Sequence, residues 1–288
     1  MLWKRGRRSD NVVGADAGGG RMRRGGIGIG GVLIVVVISL AMGKNPAELL
    51  ALLGDAGTAT TPGDARIDAA PAPLPEGEDT DFVRAILGST EDVWSQAFEG
   101  GRYPAPKLVL FADAVASACG HATSAVGPFY CSGDQRVYLD TRFFDDMTRQ
   151  LGAPGEFARA YVIAHEVGHH LQNVTGVMQR TAQLRAQGEA MEGAEGLSVR
   201  QELQADCYAG VWANHAQRQL QWLEPGDIES ALNAATAIGD DRLQQRSRGH
   251  VVPDSFTHGS SAQRVRWFRI GMESGDAQRC DTFAAEQL

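Results

Sequence analysis

The chain has 288 residues, of which 35 are acidic and 27 basic, and its formal net charge at pH 7 is −8. Seven of the basic residues lie within the first 24 positions, so the rest of the sequence is markedly acidic. Nucleic-acid binding needs a clustered basic face, which an acidic domain lacks. The composition therefore argues against a nucleic-acid partner and against tight binding to an anionic lipid surface.

An apolar segment from residue 25 to residue 43 follows the basic stretch. Its length just reaches the span of about 20 residues that a transmembrane helix needs. Positive charge precedes the segment and hardly follows it, so the positive-inside rule predicts a cytoplasmic tail over 1–24, a transmembrane anchor over 25–43 and a domain outside the cytoplasm. Two alternatives stay open: a cleaved signal peptide with a weak site at 39–41, and a buried strand.

Residues 44–80 are rich in Pro, Ala and acidic side chains, a composition typical of a flexible linker that has no core of its own. Residues 81–288 are long enough to form one substantial domain. Apolar spacing predicts a helix over 81–98, and β-rich runs predict strands over 107–111 and 137–140. Further helices are predicted over 178–191, from 199 to about 220 and from 227 to about 246. The expected fold class is α+β, dominated by helices, with a small sheet.

The most specific motif is His165-Glu166-Val167-Gly168-His169, which follows an apolar run that is typical of a helix. Residues four apart share one helical face, so His165 and His169 can direct two imidazoles at one Zn²⁺ ion. Glu166 is then placed to hold a water on the metal and to act as the general base. His170 points away from this face, and we expect it to have a packing or supporting role.

A third zinc ligand is expected downstream, because three protein ligands and one open position are typical of catalytic zinc sites. Glu202 and Asp206 are four residues apart in an apolar sequence, where lone carboxylates are unfavourable. We predict that Glu202 is the ligand and that Asp206 accepts the N–H of a ligating histidine. The alternative is a solvated acidic face that has no metal.

Four cysteines lie in the predicted domain, which suits an oxidising compartment. Three pairings are possible, and we favour Cys119 with Cys131, which closes a loop, and Cys207 with Cys280. Cys207 as a zinc ligand is the alternative, although its position five residues after Glu202 is off the ligand face.

The chain resembles a bacterial family called putative neutral zinc metallopeptidases, a zincin-like group. The resemblance covers nearly the whole chain and depends on the stretches 117–131, 137–140, 165–170, 202–210 and 257–264. It implies a zincin-like fold, one zinc ion per chain, hydrolysis of peptide or protein substrates, and attachment to the bacterial inner membrane with the domain in the periplasm. It also implies that the segment from Ser124 to Tyr130 pairs with an extended substrate.

In this interpretation Glu166 accepts the proton of the attacking water, and either His258 or Tyr208 stabilises the developing oxyanion. Two other functions stay open: a non-catalytic envelope scaffold stabilised by zinc, and a zinc hydrolase of a cell-wall amide. An intact Glu166 argues against the scaffold, because a purely structural metal has no use for that carboxylate. The sequence leaves the oligomeric state open.

Overall fold

The computed structural model describes residues 1–15, 73–98 and 102–288 of the chain. The fold is α+β and dominated by helices, as the sequence predicts. The strands are β1 (Val12–Gly14), β2 (Lys107–Leu110), β3 (Ala114–Ser117), β4 (Gly120–Thr123), β5 (Phe129–Cys131) and β6 (Arg136–Leu139). The α-helices are α1 (Glu78–Ala97), α2 (Arg142–Arg149), α3 (Glu156–Val174), α4 (Val177–Ala186), α5 (Leu197–Leu220), α6 (Asp227–Ala237), α7 (Asp240–Arg248) and α8 (Ser261–Ser274).

The main sheet has four strands in the order β1-β2-β6-β5. Strands β1, β2 and β6 run parallel, whereas β5 pairs antiparallel with β6 and lies at the edge. Strands β3 and β4 form a separate hairpin. The predicted strands at 107–111 and 137–140 correspond to β2 and β6. The edge strand β5 overlaps the end of the stretch from Ser124 to Tyr130 that the resemblance implies for substrate pairing.

Helix α3 runs through the centre of the domain, and 15 of its 19 residues are buried, polar ones among them. It packs against α5 with very little space between the two backbones: a Cβ at Gly168 would lie 2.9 Å from the Cα of Ala205. A stacked pair of rings, Phe157 on α3 and Trp212 on α5, extends this contact. The other side of α5 meets α8 at Gly210 and Gly271, where again a Cβ would collide with the opposite backbone. Helices α3, α5 and α8 are thereby held close together.

Two predicted helices have different bounds. The segment from 227 to 246 forms two helices, α6 and α7, because the chain turns at Gly239, where a Cβ would lie 2.5 Å from the backbone nitrogen of Ser261. The helix predicted over 178–191 ends at Ala186, and the following residues turn back towards α5. The first domain helix begins at Glu78 rather than at residue 81, so it includes the last three residues that the sequence assigned to a linker.

Residues 1–15, which the sequence predicts to be part of a cytoplasmic tail, pack on the domain. They contain a short 3₁₀-helix, Trp3–Arg5, and strand β1 of the main sheet. Trp3 is buried and meets Phe82 of α1 edge to face. The predicted transmembrane segment over 25–43 lies outside the described residues. Among those described, no helix is long and apolar enough to cross a membrane.

Two disulfides join Cys119 to Cys131 and Cys207 to Cys280. This is the pairing that the sequence favours. The first closes the loop between β3 and β5, and the second ties α5 to the C-terminal segment. Cys207 is therefore bonded to sulfur and cannot be the alternative zinc ligand.

Candidate metal centre

The candidate site lies where α3 faces the first half of α5. His165 and His169 stand one turn apart on α3, with their ring centroids 4.8 Å from each other. Glu202 projects from α5 towards both rings. Its Oε2 atom lies 3.3 Å from Nε2 of His165, and its Oε1 atom lies 3.5 Å from Nε2 of His169. The close packing at Gly168, between the two histidines, sets this separation.

These three side chains fit a zinc ion. One atom from each of them lies within 4.8 Å of the others. Tetrahedral ligands at about 2.1 Å from a Zn²⁺ ion are about 3.4 Å apart. The two histidine–carboxylate distances, which reach different oxygens of Glu202, are close to this spacing. Two imidazoles and one carboxylate are a typical catalytic zinc set. Although burial disfavours its charge, the neighbouring histidines hold the pKa of Glu202 well below its usual range, so it is an anion ready to bind a cation.

The Nδ1 atoms of His165 and His169, on the side of each ring away from Glu202, both have a hydrogen-bond acceptor. Nδ1 of His165 lies 2.8 Å from Oδ1 of Asp206, and Nδ1 of His169 lies 3.0 Å from Oε1 of Gln172. Because a carboxylate and an amide oxygen can only accept, both Nδ1 atoms carry the proton. Nε2 is therefore the ring nitrogen that faces Glu202 and is left to bind a metal. In the metal-free site burial lowers the pKa of His165, but Asp206 and Glu202 raise it to about 10, so a metal that binds here displaces a proton from Nε2. Gln172 is itself held by Gln204 and by the backbone of Gln201.

Asp206 belongs to a fully buried polar cluster. The guanidinium of Arg264 on α8 donates to both of its oxygens, from Nε at 2.8 Å and from Nη2 at 2.9 Å. The hydroxyl of Tyr161 donates to Asp206 Oδ1 at 2.5 Å. Burial raises the pKa of Asp206, but Arg264 and His165 outweigh it and hold that pKa low. A charged Asp206 can therefore fix the orientation of His165.

Glu166 lies between the ligands along α3 and borders the same cavity. Only 8% of it is exposed. Burial raises the pKa of Glu166 against the opposing effect of His169 and His165. A carboxylate with a raised pKa beside a metal site can take up a proton and release it again, which is what a general base needs.

His258 enters the cavity from the loop before α8. Its ring nitrogen Nδ1 lies 3.4 Å from Oδ1 of Asp240, and the Oδ2 atom of Asp240 accepts the backbone N–H groups of Thr257, His258 and Gly259 at 2.7, 2.7 and 3.1 Å. Burial lowers the pKa of His258, but the carboxylates of Glu202 and Asp240 raise it by more, so the pKa of His258 lies above its usual value. The ring can therefore donate a hydrogen bond into the cavity.

Tyr208, the other candidate for oxyanion stabilisation, packs its ring against Trp94 of α1, with the centroids 5.8 Å apart. It therefore belongs to the core contact between α1 and α5. His170 also lies away from the ligand face: its Nε2 donates to the carbonyl oxygen of Pro104 at 2.6 Å, and its Nδ1 accepts from the hydroxyl of Tyr130 at 3.1 Å. His170 thus links α3 to the edge strand β5.

The cavity in front of the three ligands has a volume of about 550 Å³. Much of its wall is apolar and comes from α2, α4, α7, β5 and the adjoining turns. The apolar side chains are Val126, Pro128, Phe129, Phe143, Leu151, Val162, Met178, Met191, Ile238 and Leu243. One part of the wall is tied together where Arg246 of α7 donates to the backbone oxygen of Gln150 after α2.

Sequence reasoning missed three residues of this arrangement. Arg264 could have been found, because Trp267, Phe268 and Gly271 follow it at helical spacing and thereby place a cation on the buried face of α8. Asp240 resembles an ordinary acid in the first turn of a helix, and only the fold brings it to His258. Gln172 has no sequence signal beyond its position three residues after His169.

Sequence comparison adds to this geometry. The profile of a family described as "Putative neutral zinc metallopeptidase" matches residues 1–283. A protein of Escherichia coli (strain K12), named "Uncharacterized protein YpfJ", is 46% identical over 291 residues, which cover 98% of this chain and 99% of that protein. "Uncharacterized protein Mb2605" of Mycobacterium bovis and "Uncharacterized protein Rv2575" of Mycobacterium tuberculosis are each 47% identical over 216 residues, covering 72% of this chain and 71% of each relative. No solved structure matches the chain.

Proposed function

Because the chain belongs to the family of putative neutral zinc metallopeptidases, we propose that it is a zinc-dependent endopeptidase. The observation that carries the proposal is the grouping of His165, His169 and Glu202 around one point, with Glu166 beside them in an open cavity. A site that only stabilises the fold is closed by a fourth protein ligand. Here a carboxylate suited to proton transfer borders the cavity next to the ligands.

A zinc ion held by His165, His169 and Glu202 would supply Lewis acidity for the scissile carbonyl and for the attacking water near neutral pH. The chain's own residues do the rest. Glu166 accepts a proton from the attacking water at its carboxylate and delivers it to the leaving amine. Its buried position favours this exchange, because burial brings the pKa of the carboxyl closer to the working pH.

His258 donates a hydrogen bond from its imidazole to the oxyanion that develops on the substrate. Asp240 is a positioning residue: it holds the ring and the backbone of the loop that carries it. Asp206 and Gln172 keep the two ligating imidazoles in the tautomer that the metal needs.

The substrate is a peptide or protein that places a bulky apolar side chain in the cavity. Ten apolar side chains line this cavity, and apolar surface removed from water contributes about 25 cal/mol per Å². Among the described residues β5 is an edge strand, so its outer backbone groups can pair with an extended peptide, which adds main-chain hydrogen bonds.

The domain works outside the cytoplasm. Two disulfides support this part of the proposal, because structural disulfides form and persist in oxidising compartments and are rare in the bacterial cytoplasm.

The test is hydrolysis of a peptide library that varies aromatic, aliphatic and charged residues, measured together with zinc content. We expect Glu166→Gln to lower the rate by about 10²–10⁴-fold while zinc and fold are retained, since glutamine cannot accept the proton. Glu192→Gln is the matched control, because it makes the same change at an exposed position on the same cavity. Full activity of the Glu166 variant would refute the proposed mechanism, and loss of its zinc would show that Glu166 is a ligand.

A further inference from the structure

Residues 1–15, here called the N-terminal arm, are built into the domain by two different kinds of contact. Strand β1 adds to the main sheet in a parallel register that pairs Val12 with Leu108 and Gly14 with Leu110. Before the strand, the arm runs along α1, where Ser9 and Arg84 exchange two hydrogen bonds of 2.9 Å. The arm therefore completes the edge of the sheet and covers one side of the first domain helix.

The basic residues of the arm are partners of acids on α1. Lys4 pairs with Glu78 at 2.7 Å, and Arg8 pairs with Asp81 at 2.6 Å. Arg7 reaches Glu91 at 2.6 Å and Asp92 at 2.9 Å. Three of the seven basic residues that predicted a cytoplasmic tail are thus neutralised by the domain itself, so their charge has a structural use that is unrelated to membrane orientation.

Glu91 is the most informative of these acids, because it is 93% buried and its partners come from the arm. Its oxygens accept from Arg7 at 2.6 Å, from the hydroxyl of Ser9 at 2.6 Å and from the amide of Asn11 at 2.7 Å. A buried carboxylate that loses a cation and two donors is strongly unfavourable. The domain would therefore not keep Glu91 in this position if the arm were elsewhere.

Close packing gives independent support. The backbone of the arm passes so near to α1 that a Cβ at Gly88 would lie 2.7 Å from the carbonyl oxygen of Arg7. Likewise, a Cβ at Gly6 would collide with the ring of Trp222. Trp3 is fully buried, and its indole N–H donates to Glu156 of α3 at 2.8 Å. The family match also begins at residue 1 and so includes the arm.

We propose that the arm and the domain lie on the same side of the membrane, as parts of one folded unit. This replaces the topology in which residues 25–43 separate the first residues from the domain. Parts that share a sheet and a buried carboxylate cannot be divided by a bilayer about 30 Å thick. The proposal does not depend on zinc or on hydrolysis, so its failure and the failure of the proposed function are distinguishable.

Cysteine labelling in cells tests the proposal. The four native cysteines are all paired, so an introduced cysteine is the free thiol of the described chain. Asp10→Cys places it on the arm, at a side chain that is 98% exposed, and Ala182→Cys places it on an exposed face of α4 as the control for the domain. A membrane-impermeant maleimide is applied to spheroplasts and to inverted inner-membrane vesicles, with the unmodified chain as the blank.

We expect both cysteines to react in the same preparation. Labelling of one in spheroplasts and of the other only in inverted vesicles would overturn the proposal. Thermal unfolding of purified full-length Gly88→Ala protein is a second test, which is independent of the labelling. Alanine stabilises an ordinary helix position relative to glycine, so a rise in the unfolding temperature would show that the arm does not pack on α1. We expect a fall, because the new Cβ displaces the arm.

Discussion

The substitution Gly168→Ala tests whether helix packing sets the geometry of the metal site. Gly168 lies between the two histidine ligands but contributes no ligand atom. A Cβ there would lie 2.9 Å from the Cα of Ala205 and 3.0 Å from its carbonyl oxygen, whereas ordinary contacts begin near 3.4 Å. Helices α3 and α5 must therefore separate by about 0.5 Å, the difference between 2.9 and 3.4 Å.

That displacement acts directly on the ligand set, because the histidines are on α3 and Glu202 is on α5. Metal–ligand distances are tolerant to only about 0.2 Å. We expect zinc affinity to fall by about 10–100-fold, the usual effect of disturbing residues that support the ligands. Overpacking costs about 1–3 kcal/mol and the better helix propensity of alanine returns about 1 kcal/mol, so the net loss of folding stability is about 0–2 kcal/mol.

The assay is competition for zinc against a chromophoric chelator, combined with unfolding of the metal-free protein. Gly210→Ala is the matched control: it lies on α5, the helix that Gly168 packs against, and its Cβ would collide with α8, 2.7 Å from the backbone nitrogen of Met272, away from the ligands. It should lose stability and keep its zinc affinity. The reasoning would be refuted by a Gly168→Ala protein that binds zinc within twofold of the wild type, or by equal losses of affinity in both variants.

Two further predictions concern His258 and the disulfides. Asp240→Asn should lower kcat by about tenfold with little change in KM, because it only loosens the hold on the His258 ring. His258→Ala should lower kcat by about 10²–10³-fold, because it removes the hydrogen-bond donor itself. An Asp240→Asn enzyme with a normal kcat would contradict the positioning role of Asp240. Replacing Cys207 and Cys280 together by serine should lower the free energy of unfolding by about 4 kcal/mol, against about 3 kcal/mol for the Cys119–Cys131 pair, because their sequence separations are 73 and 12. Denaturant unfolding of the two double variants measures the difference, and the reverse order would contradict the loop-length argument.

Local periodicity predicts the part of the site that lies on single helices. The spacing of four residues places His165 beside His169, and the same spacing places Glu202 beside Asp206, before any tertiary information is used. The sequence also predicts that the histidine pair faces the carboxylate pair, because buried carboxylates and imidazoles are unfavourable unless they pair with each other.

Tertiary contacts that join distant parts of the chain could not be predicted in this way. Asp240 reaches His258 only because the chain turns at Gly239, and periodicity alone predicted one continuous helix there. The arm is the clearest case. Its basic residues fit a cytoplasmic tail as well as they fit a row of acids on α1. Only tertiary contacts, such as the pairing of β1 with β2 and the packing at Gly88, distinguish the two.

The parallel pairing of β1 with β2 has a consequence for the order in which the fold assembles. Val12 and Leu108 are 96 positions apart, whereas Leu108 and Val137, which pair β2 with β6, are 29 apart. Loop-closure entropy therefore makes the first pairing less favourable by about 1 kcal/mol at the moment of contact. Strands β2, β6 and β5 can associate first, and they then leave β2 as an open edge that invites pairing with another chain. Strand β1 is synthesised before β2 but covers its edge last, so it protects the folding intermediate from aggregation only after it has paired.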